Sequence, residues 1–239
     1  MTIKSPRFSI KIFADGANIE VIDRLKSNNL IEGFTTNPSL MRKAGVQDYR
    51  GFAKHAMQLV PNHPFSLEVF SDELPIMEAQ ARSIASWGKN IFVKIPIMNT
   101  KRIFTGPIIK ALSRDGIKLN ITAIMTFEQI KAVTSILKHD TPTILSVFAG
   151  RIADTGRDPV PLMAQFVNFL KNHRNIDLLW ASPREVLNIF QANDVGCDII
   201  TVGEDLLNKM NLIDKDLNEF SRETVEMFYR DAISSDFKI

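Results

Sequence analysis

Short apolar runs alternate along the chain with longer stretches whose apolar residues recur at helical spacing, the pattern of repeated βα units around a parallel sheet. The runs predict strands near Ser9–Ala14, Gly33–Thr35, Phe65–Phe70, Ile91–Ile95, Lys118–Thr122, Thr143–Phe148, Leu178–Ala181 and Asp198–Val202. Between them, Pro75–Trp87 reads as a helix with Ile76, Ala79, Gln80 and Ser83 spaced by turns. Phe127–Leu137 reads as another, with Ile130, Val133, Thr134 and Leu137 on one stripe. Such units close naturally into a (β/α)8 barrel of the TIM type. The G-x-G-x-x-G turn of a dinucleotide-binding open sheet is missing. From about Leu212 onward, Phe220, Val225, Phe228 and Tyr229 mark one or two further helices, of the kind that pack across a barrel or onto another subunit.

Side chains alternate between the faces of a strand, and a parallel strand covered on both sides is expected to be apolar throughout. Several of these strands break that rule on one face only. In FSLEVF, Ser66 and Glu68 share a face with Phe70, and in IFVKIP, Lys94 shares one with Phe92. Asn120 and Thr122 lie together in KLNIT, Ser146 and Phe148 in TILSVFAGR, Phe13 and Asp15 in KIFAD, and Thr35 and Asn37 in TTNP. The opposite faces carry Leu67, Val69, Val93, Ile95, Leu119, Ile121, Leu145 and Val147, which predicts that those residues face the helices. The polar set then points into the barrel near its C-terminal mouth, where barrel active sites lie. Trp180 is expected to fill the barrel as well. An unpaired buried Lys or Glu costs several kcal/mol, so these charges are expected to pair with one another or to serve chemistry.

Composition removes several rival classes. The chain has 239 residues, and 29 Lys+Arg against 27 Asp+Glu leave a formal net charge of +2, with no excess suited to coating nucleic acid or gripping an anionic membrane. The length suits one barrel and no Gly/Ser/Pro-rich linker interrupts it, so a single domain over residues 1–239 is expected, with 212–239 as its helical extension. Cys197 has no second cysteine to pair with and reads as a small core residue. His55, His63, His139 and His173 are scattered without ligand spacing, so no metal is expected. Neither a secretory apolar segment near the start nor a run of roughly 18 apolar residues occurs, which predicts a cytoplasmic protein.

The inward set suits carbonyl chemistry. A lysine in a dry barrel interior loses part of the solvation that favours its ammonium form, which frees the amine as a nucleophile, and Lys94 is that candidate. The iminium it would form with a ketone is an electron sink. A carboxylate beside it can then take the proton of a hydroxyl beta to the carbonyl carbon, so that the adjacent C–C bond breaks. Asp15 and Glu68 are the available carboxylates. Asn37, Asn120 and Ser146 suit sugar hydroxyls, while Arg151 and Arg184, each just past a strand, suit a phosphate. Quieter roles also fit some of these residues. Asp15 sits before Gly16 in a turn, Glu68 can be the ion-pair partner of Lys94, Asn37 can cap the helix after Pro38, and Arg184 can be a solvated charge opening a helix after Pro183.

The segments ADGAN (14–18), TTNPSL (35–40), SLEVF (66–70), VKIP (93–96), NIT (120–122), FAGRIAD (148–154) and WASPRE (180–185) resemble, in order, the motifs of the transaldolase family, over about Phe13 to Leu207. The resemblance implies a cofactor-free Schiff-base enzyme on an α/β barrel. Such an enzyme moves a dihydroxyacetone unit from fructose 6-phosphate or sedoheptulose 7-phosphate to erythrose 4-phosphate or glyceraldehyde 3-phosphate, in the pentose phosphate pathway. Carried over motif by motif, it implies Lys94 as the Schiff-base lysine and Asp15 as acid/base at the cleaved bond, with Glu68 and Thr122 holding the water used in imine formation. It further implies Asn37, Asn120, Ser146 and Phe148 around the sugar, and Arg151, Ser182 and Arg184 at its phosphate. Sugar phosphates are the partners expected, with a homo-oligomer formed through the C-terminal helices.

Departures from the family pattern are local. Where SPFVGR is usual the chain reads SVFAGR, and both replaced positions, Val147 and Ala149, face outward by parity. After VKIP, the stretch IMNTKRIFTG lacks the usual threonine-rich turn and glycine-leucine pair, at a loop that borders the mouth and bears on acceptor preference. The chain has the length of the compact subfamily that includes fructose-6-phosphate aldolases. Those aldolases carry glutamine and tyrosine at the positions of Glu68 and Phe148, so the residues present lean towards transaldolase. The alternatives are an aldolase that releases free dihydroxyacetone and a catalytically silent barrel that binds sugar phosphates.

Overall fold

The computed structural model describes residues 8–235, so the ends of the expected domain, 1–7 and 236–239, lie outside the described residues. The strands are β1 (Lys11–Asp15), β2 (Ile31–Thr35), β3 (Phe65–Glu68), β4 (Ile91–Pro96), β5 (Leu119–Ile124), β6 (Thr143–Val147), β7 (Ile176–Trp180) and β8 (Ile199–Gly203). They pair in parallel in sequence order and β8 closes onto β1, giving the (β/α)8 barrel that the sequence predicts. The helices are α1 (Ile19–Leu25), α2 (Pro38–Lys43), α3 (Tyr49–Leu59), α4 (Leu74–Ala85), α5 (Gly106–Arg114), α6 (Phe127–Thr134), α7 (Ala149–Ala153), α8 (Val160–Leu170), α9 (Leu187–Val195), α10 (Glu204–Lys209) and α11 (Leu217–Ser234). None of the helices among the described residues is long and apolar enough to cross a membrane.

Alternation along the strands divides the apolar residues into two layers. Leu67, Val69, Val93, Ile95, Leu119, Ile121, Leu145 and Val147 are all buried against the helices, as parity requires. Inside the barrel, Phe13, Ile144, Leu179, Ala181 and Ile199 form a separate plug, with Phe92 and Phe148 packed on it. Gly33 makes room for that plug. A Cβ there would lie 2.6 Å from the Phe13 ring, so only a residue without a side chain lets the ring lie across β2.

Four expectations need correction. Trp180 is fully buried, but in the layer between sheet and helices, because its neighbours Leu179 and Ala181 take the inward positions. In α4 the buried stripe is Met77, Ala81 and Ile84, one residue round from the stripe expected, and Ile76 is 54% exposed. β3 ends at Glu68, so Phe70 does not share the inward face; it is exposed and packs edge-on against Tyr49 at 4.5 Å. Arg184 does not open a helix, since α9 begins only at Leu187 and Arg184 lies in the preceding loop.

The C-terminal extension is one helix, α11, capped by the Asp216 side chain on Glu219 N. None of its described residues is buried, and Leu217, Val225, Phe228, Tyr229 and Ile233 are all more than half exposed. Cys197 is buried as expected, and burial together with nearby Asp198 pushes its thiol up to about 12.

Candidate active site

Strand register assembles the site. Glu68 pairs with Lys94 across β3 and β4, and Lys94 with Asn120 across β4 and β5, so carboxylate, amine and amide stand side by side on one inner ring. Lys94 is 7% exposed. Its Nζ lies 3.1 Å from Glu68 Oε2 and donates to the Thr36 carbonyl at 3.2 Å. A buried ion pair of this kind offsets two desolvation costs, and removing one partner leaves the other charge uncompensated.

The amide and hydroxyls beside Lys94 form a chain of hydrogen bonds. Asn120 Nδ2 donates to Ser66 Oγ at 2.9 Å, and Ser146 Oγ donates to Asn120 Oδ1 at 2.7 Å, all three residues being buried. Thr122, one inward position further along β5, is also buried, but its hydroxyl has no protein partner among the described residues. Beyond Thr122 the pairing of β5 with β6 slips between Ile121 and Ile124, and Ala123 takes φ +61°. Such bulges re-aim strand ends beside active sites, at a backbone cost of order 1–3 kcal/mol for a left-handed non-glycine residue.

Asp15 ends β1 at the same mouth. It keeps some accessible surface, yet protein packs closely enough round its carboxyl that burial raises it above the ordinary 3.8, while the Lys94 charge and the Thr35 hydrogen bond pull it back down. The Thr35 hydroxyl donates to Asp15 Oδ1 at 2.7 Å and also bonds the Thr201 hydroxyl. Asn37 caps α2, its Oδ1 accepting from Leu40 N at 3.0 Å. The capping reading of Asn37 therefore holds, and its Nδ2 has no protein partner among the described residues.

A second group lies where α7 meets the loop after β7. Gly150 passes so close to this loop that a Cβ on it would lie 1.6 Å from the Ser182 carbonyl oxygen, and Ser182 itself takes φ +64°. Arg151 and Arg184 are both exposed. Arg184 makes a two-pronged ion pair with Asp154, whose carboxyl is held below the usual range first by the Arg184 hydrogen bonds and further by the charges of Arg184 and Arg151. Arg151, Ser182 and Arg184 are thus brought to one corner.

Sequence reasoning missed four contributors. Thr36 supplies its carbonyl to Lys94, and main-chain acceptors leave no mark in a sequence. Asp154 lies inside FAGRIAD, but its pairing with Arg184 spans 30 residues of chain. Tyr49 donates from its hydroxyl to the Glu68 carbonyl at 2.9 Å, and burial, with the Glu68 charge, raises the phenol well above its ordinary value. Thr201 did carry a signal, as a polar residue on the inward parity of an otherwise apolar β8.

The Transaldolase/Fructose-6-phosphate aldolase family profile matches residues 12–238. A probable transaldolase of Dehalococcoides mccartyi is 33% identical over 202 residues, covering 84% of this chain and 90% of that protein. One of Nitrosopumilus maritimus is 32% identical over 207 residues, covering 84% and 87%. Among solved structures, KGPDC from Streptococcus mutans superposes with a TM-score of 0.56 at 9% identity, covering 83% of this chain and 89% of that one. A 2,3-dimethylmalate lyase superposes with 0.57 at 14%, covering 94% and 84%. These two likenesses speak for the barrel fold alone, whereas the profile and the sequence relatives go further: the chain belongs to the transaldolase/fructose-6-phosphate aldolase family.

Proposed function

We propose that the protein is a transaldolase, which transfers a dihydroxyacetone unit from fructose 6-phosphate or sedoheptulose 7-phosphate to erythrose 4-phosphate or glyceraldehyde 3-phosphate through an imine on Lys94. The observation that carries this reading is Lys94 itself, a buried amine inside a barrel with Glu68 at 3.1 Å and Asp15 within reach of its charge. Lys94 first passes its ammonium proton to the Glu68 carboxylate paired with it; the freed amine attacks the ketose carbonyl, and the carbinolamine loses water with proton transfers through a water held by Glu68 and Thr122. The unpartnered Thr122 hydroxyl suits that task. Asp15 then takes the proton of the hydroxyl beta to the iminium carbon, the C–C bond breaks, and its electrons pass into the iminium as an enamine. The aldose phosphate leaves, and the enamine adds to the acceptor aldehyde by the same steps reversed.

Asn37, Asn120, Ser146 and Phe148 line the sugar, and Arg151, Ser182 and Arg184 receive its phosphate, with Arg184 drawn partly away from Asp154. Transfer is favoured over release because a carboxylate and a phenylalanine stand at positions 68 and 148. The apolar residues exposed on α11 fit a second copy of the chain, since so large an apolar surface on a chain of nearly balanced charge favours self-association. Turnover of fructose 6-phosphate that requires erythrose 4-phosphate, and is abolished by Lys94→Arg, is the expected result. Free dihydroxyacetone made as fast without acceptor overturns transfer, and turnover by Lys94→Arg overturns the imine.

A further inference from the structure

The geometry points to Thr201 as a positioning residue for Asp15, the outer member of a hydroxyl chain that fixes one carboxylate oxygen and leaves the other for the substrate proton. This rests on the role given to Asp15 above and adds to it a residue from β8. In the barrel, β1 runs between β2 and β8; Asp15 pairs with Thr35 on one side, and Thr201 sits level with Phe13 on the other. Both threonines are buried in the interior, and their hydroxyls bond each other beneath the carboxylate.

The direction of the chain follows from counting protons. A hydroxyl has one proton to donate, and an ionised carboxylate only accepts. Thr35 directs its proton to Asp15 Oδ1 at 2.7 Å, so the bond between the threonines is made by the Thr201 proton. Thr201 therefore donates to Thr35 and Thr35 to Asp15, and a hydroxyl that accepts a hydrogen bond becomes the better donor. Asp15 Oδ2 has no protein donor among the described residues, so it is the oxygen open to a substrate hydroxyl.

The chain opposes the burial that otherwise favours the neutral acid, and it does so beside Lys94 of β4. Lys94 is itself paired with Glu68 of β3, and the cleft of about 480 Å³ that Asp15 helps to line also carries Lys43 at the end of α2 and Glu204 and Asp205 at the start of α10, Glu204 being paired with Arg24 of α1.

Thr201→Val keeps the shape and removes the donor. The acid limb of the cleavage step, measured in single turnovers of fructose 6-phosphate, is expected to move up by about half a pH unit, the order of a cooperative increment to a charge-assisted bond. Borohydride trapping of the imine should be unchanged, and Thr201→Ser should restore the limb. Should the valine variant not fold, Thr201→Cys, a weaker donor of similar size, carries the same prediction with a smaller shift. A merely space-filling Thr201 would lower stability and leave the limb in place, and that result overturns the proposal. Infrared titration of the Asp15 carboxyl in the free enzyme, assigned with Asp15→Asn, separates the two levels. If the wild-type protein traps no imine, the reaction assigned above fails, but an upward shift of this titration in Thr201→Val still supports the hydroxyl chain and an unmoved titration still refutes it.

Discussion

Removing the Glu68 charge should destabilise the fold far more than removing both members of its pair. Lys94 and Glu68 side chains are 8% and 17% exposed and 3.1 Å apart. At an effective dielectric of about 20, Coulomb attraction at this distance is about 5 kcal/mol, and desolvation of the two ions cancels most of it. Glu68→Gln abolishes the ionic attraction and leaves the ammonium buried against neutral acceptors alone, the Thr36 carbonyl and the glutamine amide oxygen, which is expected to cost about 3 kcal/mol. Lys94→Met leaves Glu68, the more exposed partner, and should cost about 2 kcal/mol. The double variant Glu68→Gln/Lys94→Met carries neither charge and should unfold within about 1 kcal/mol of wild type. Urea denaturation followed by circular dichroism, at one protein concentration and pH 7.5, gives the cycle directly. The coupling should then be about 4 kcal/mol; additivity of the two single variants, or a cost below about 0.5 kcal/mol for Glu68→Gln, would refute the reasoning.

Three further outcomes follow from the geometry. Gly150→Ala sets a Cβ 1.6 Å from the Ser182 carbonyl, so it should cost about 3 kcal/mol or more and raise KM for phosphorylated ketoses; a melting curve like that of wild type would contradict the contact. Because burial raises the Asp15 carboxyl above 3.8, its ionisation destabilises the folded state as pH rises through the raised value. Asp15→Asn should therefore be more stable than wild type at pH 7, with the gain fading as pH falls towards 3.8, and a gain that grows in acid would be the wrong sign. If α11 seats a second copy as proposed, Phe228→Asp should lower the mass seen in light scattering while leaving barrel circular dichroism intact; an unchanged mass would refute self-association through α11.

The barrel was legible because its strands leave two separate marks. Apolar runs at regular intervals gave the eight strands, and parity within them separated the helix-facing layer from the polar ring. Strand ends were harder. Leaving β3 at Glu68 frees Phe70 to pack on Tyr49, a contact decided by α3 rather than by the strand itself. Trp180 is placed outside the barrel interior by alternation, which gives that place to Leu179 and Ala181. In α4 the stripe Ile76, Ala79, Gln80 and Ser83 and the true one are both plausible at helical spacing, and docking on β4 selects Met77, Ala81 and Ile84. The Lys94–Glu68 pairing was anticipated as one reading of two adjacent inward charges. The Thr36 carbonyl and the Arg184–Asp154 pair were not, since both depend on loops whose paths the sequence does not state.

Transaldolase chemistry on this barrel requires a covalent imine on Lys94. Borohydride reduction of the protein with fructose 6-phosphate, followed by intact mass and peptide mapping, tests this most directly. The expected result is a single reduced adduct on Lys94 that is absent from Lys94→Arg. Folded protein that gives no adduct, or one on another lysine, would contradict the imine mechanism and leave a barrel that binds sugar phosphates without acting on them.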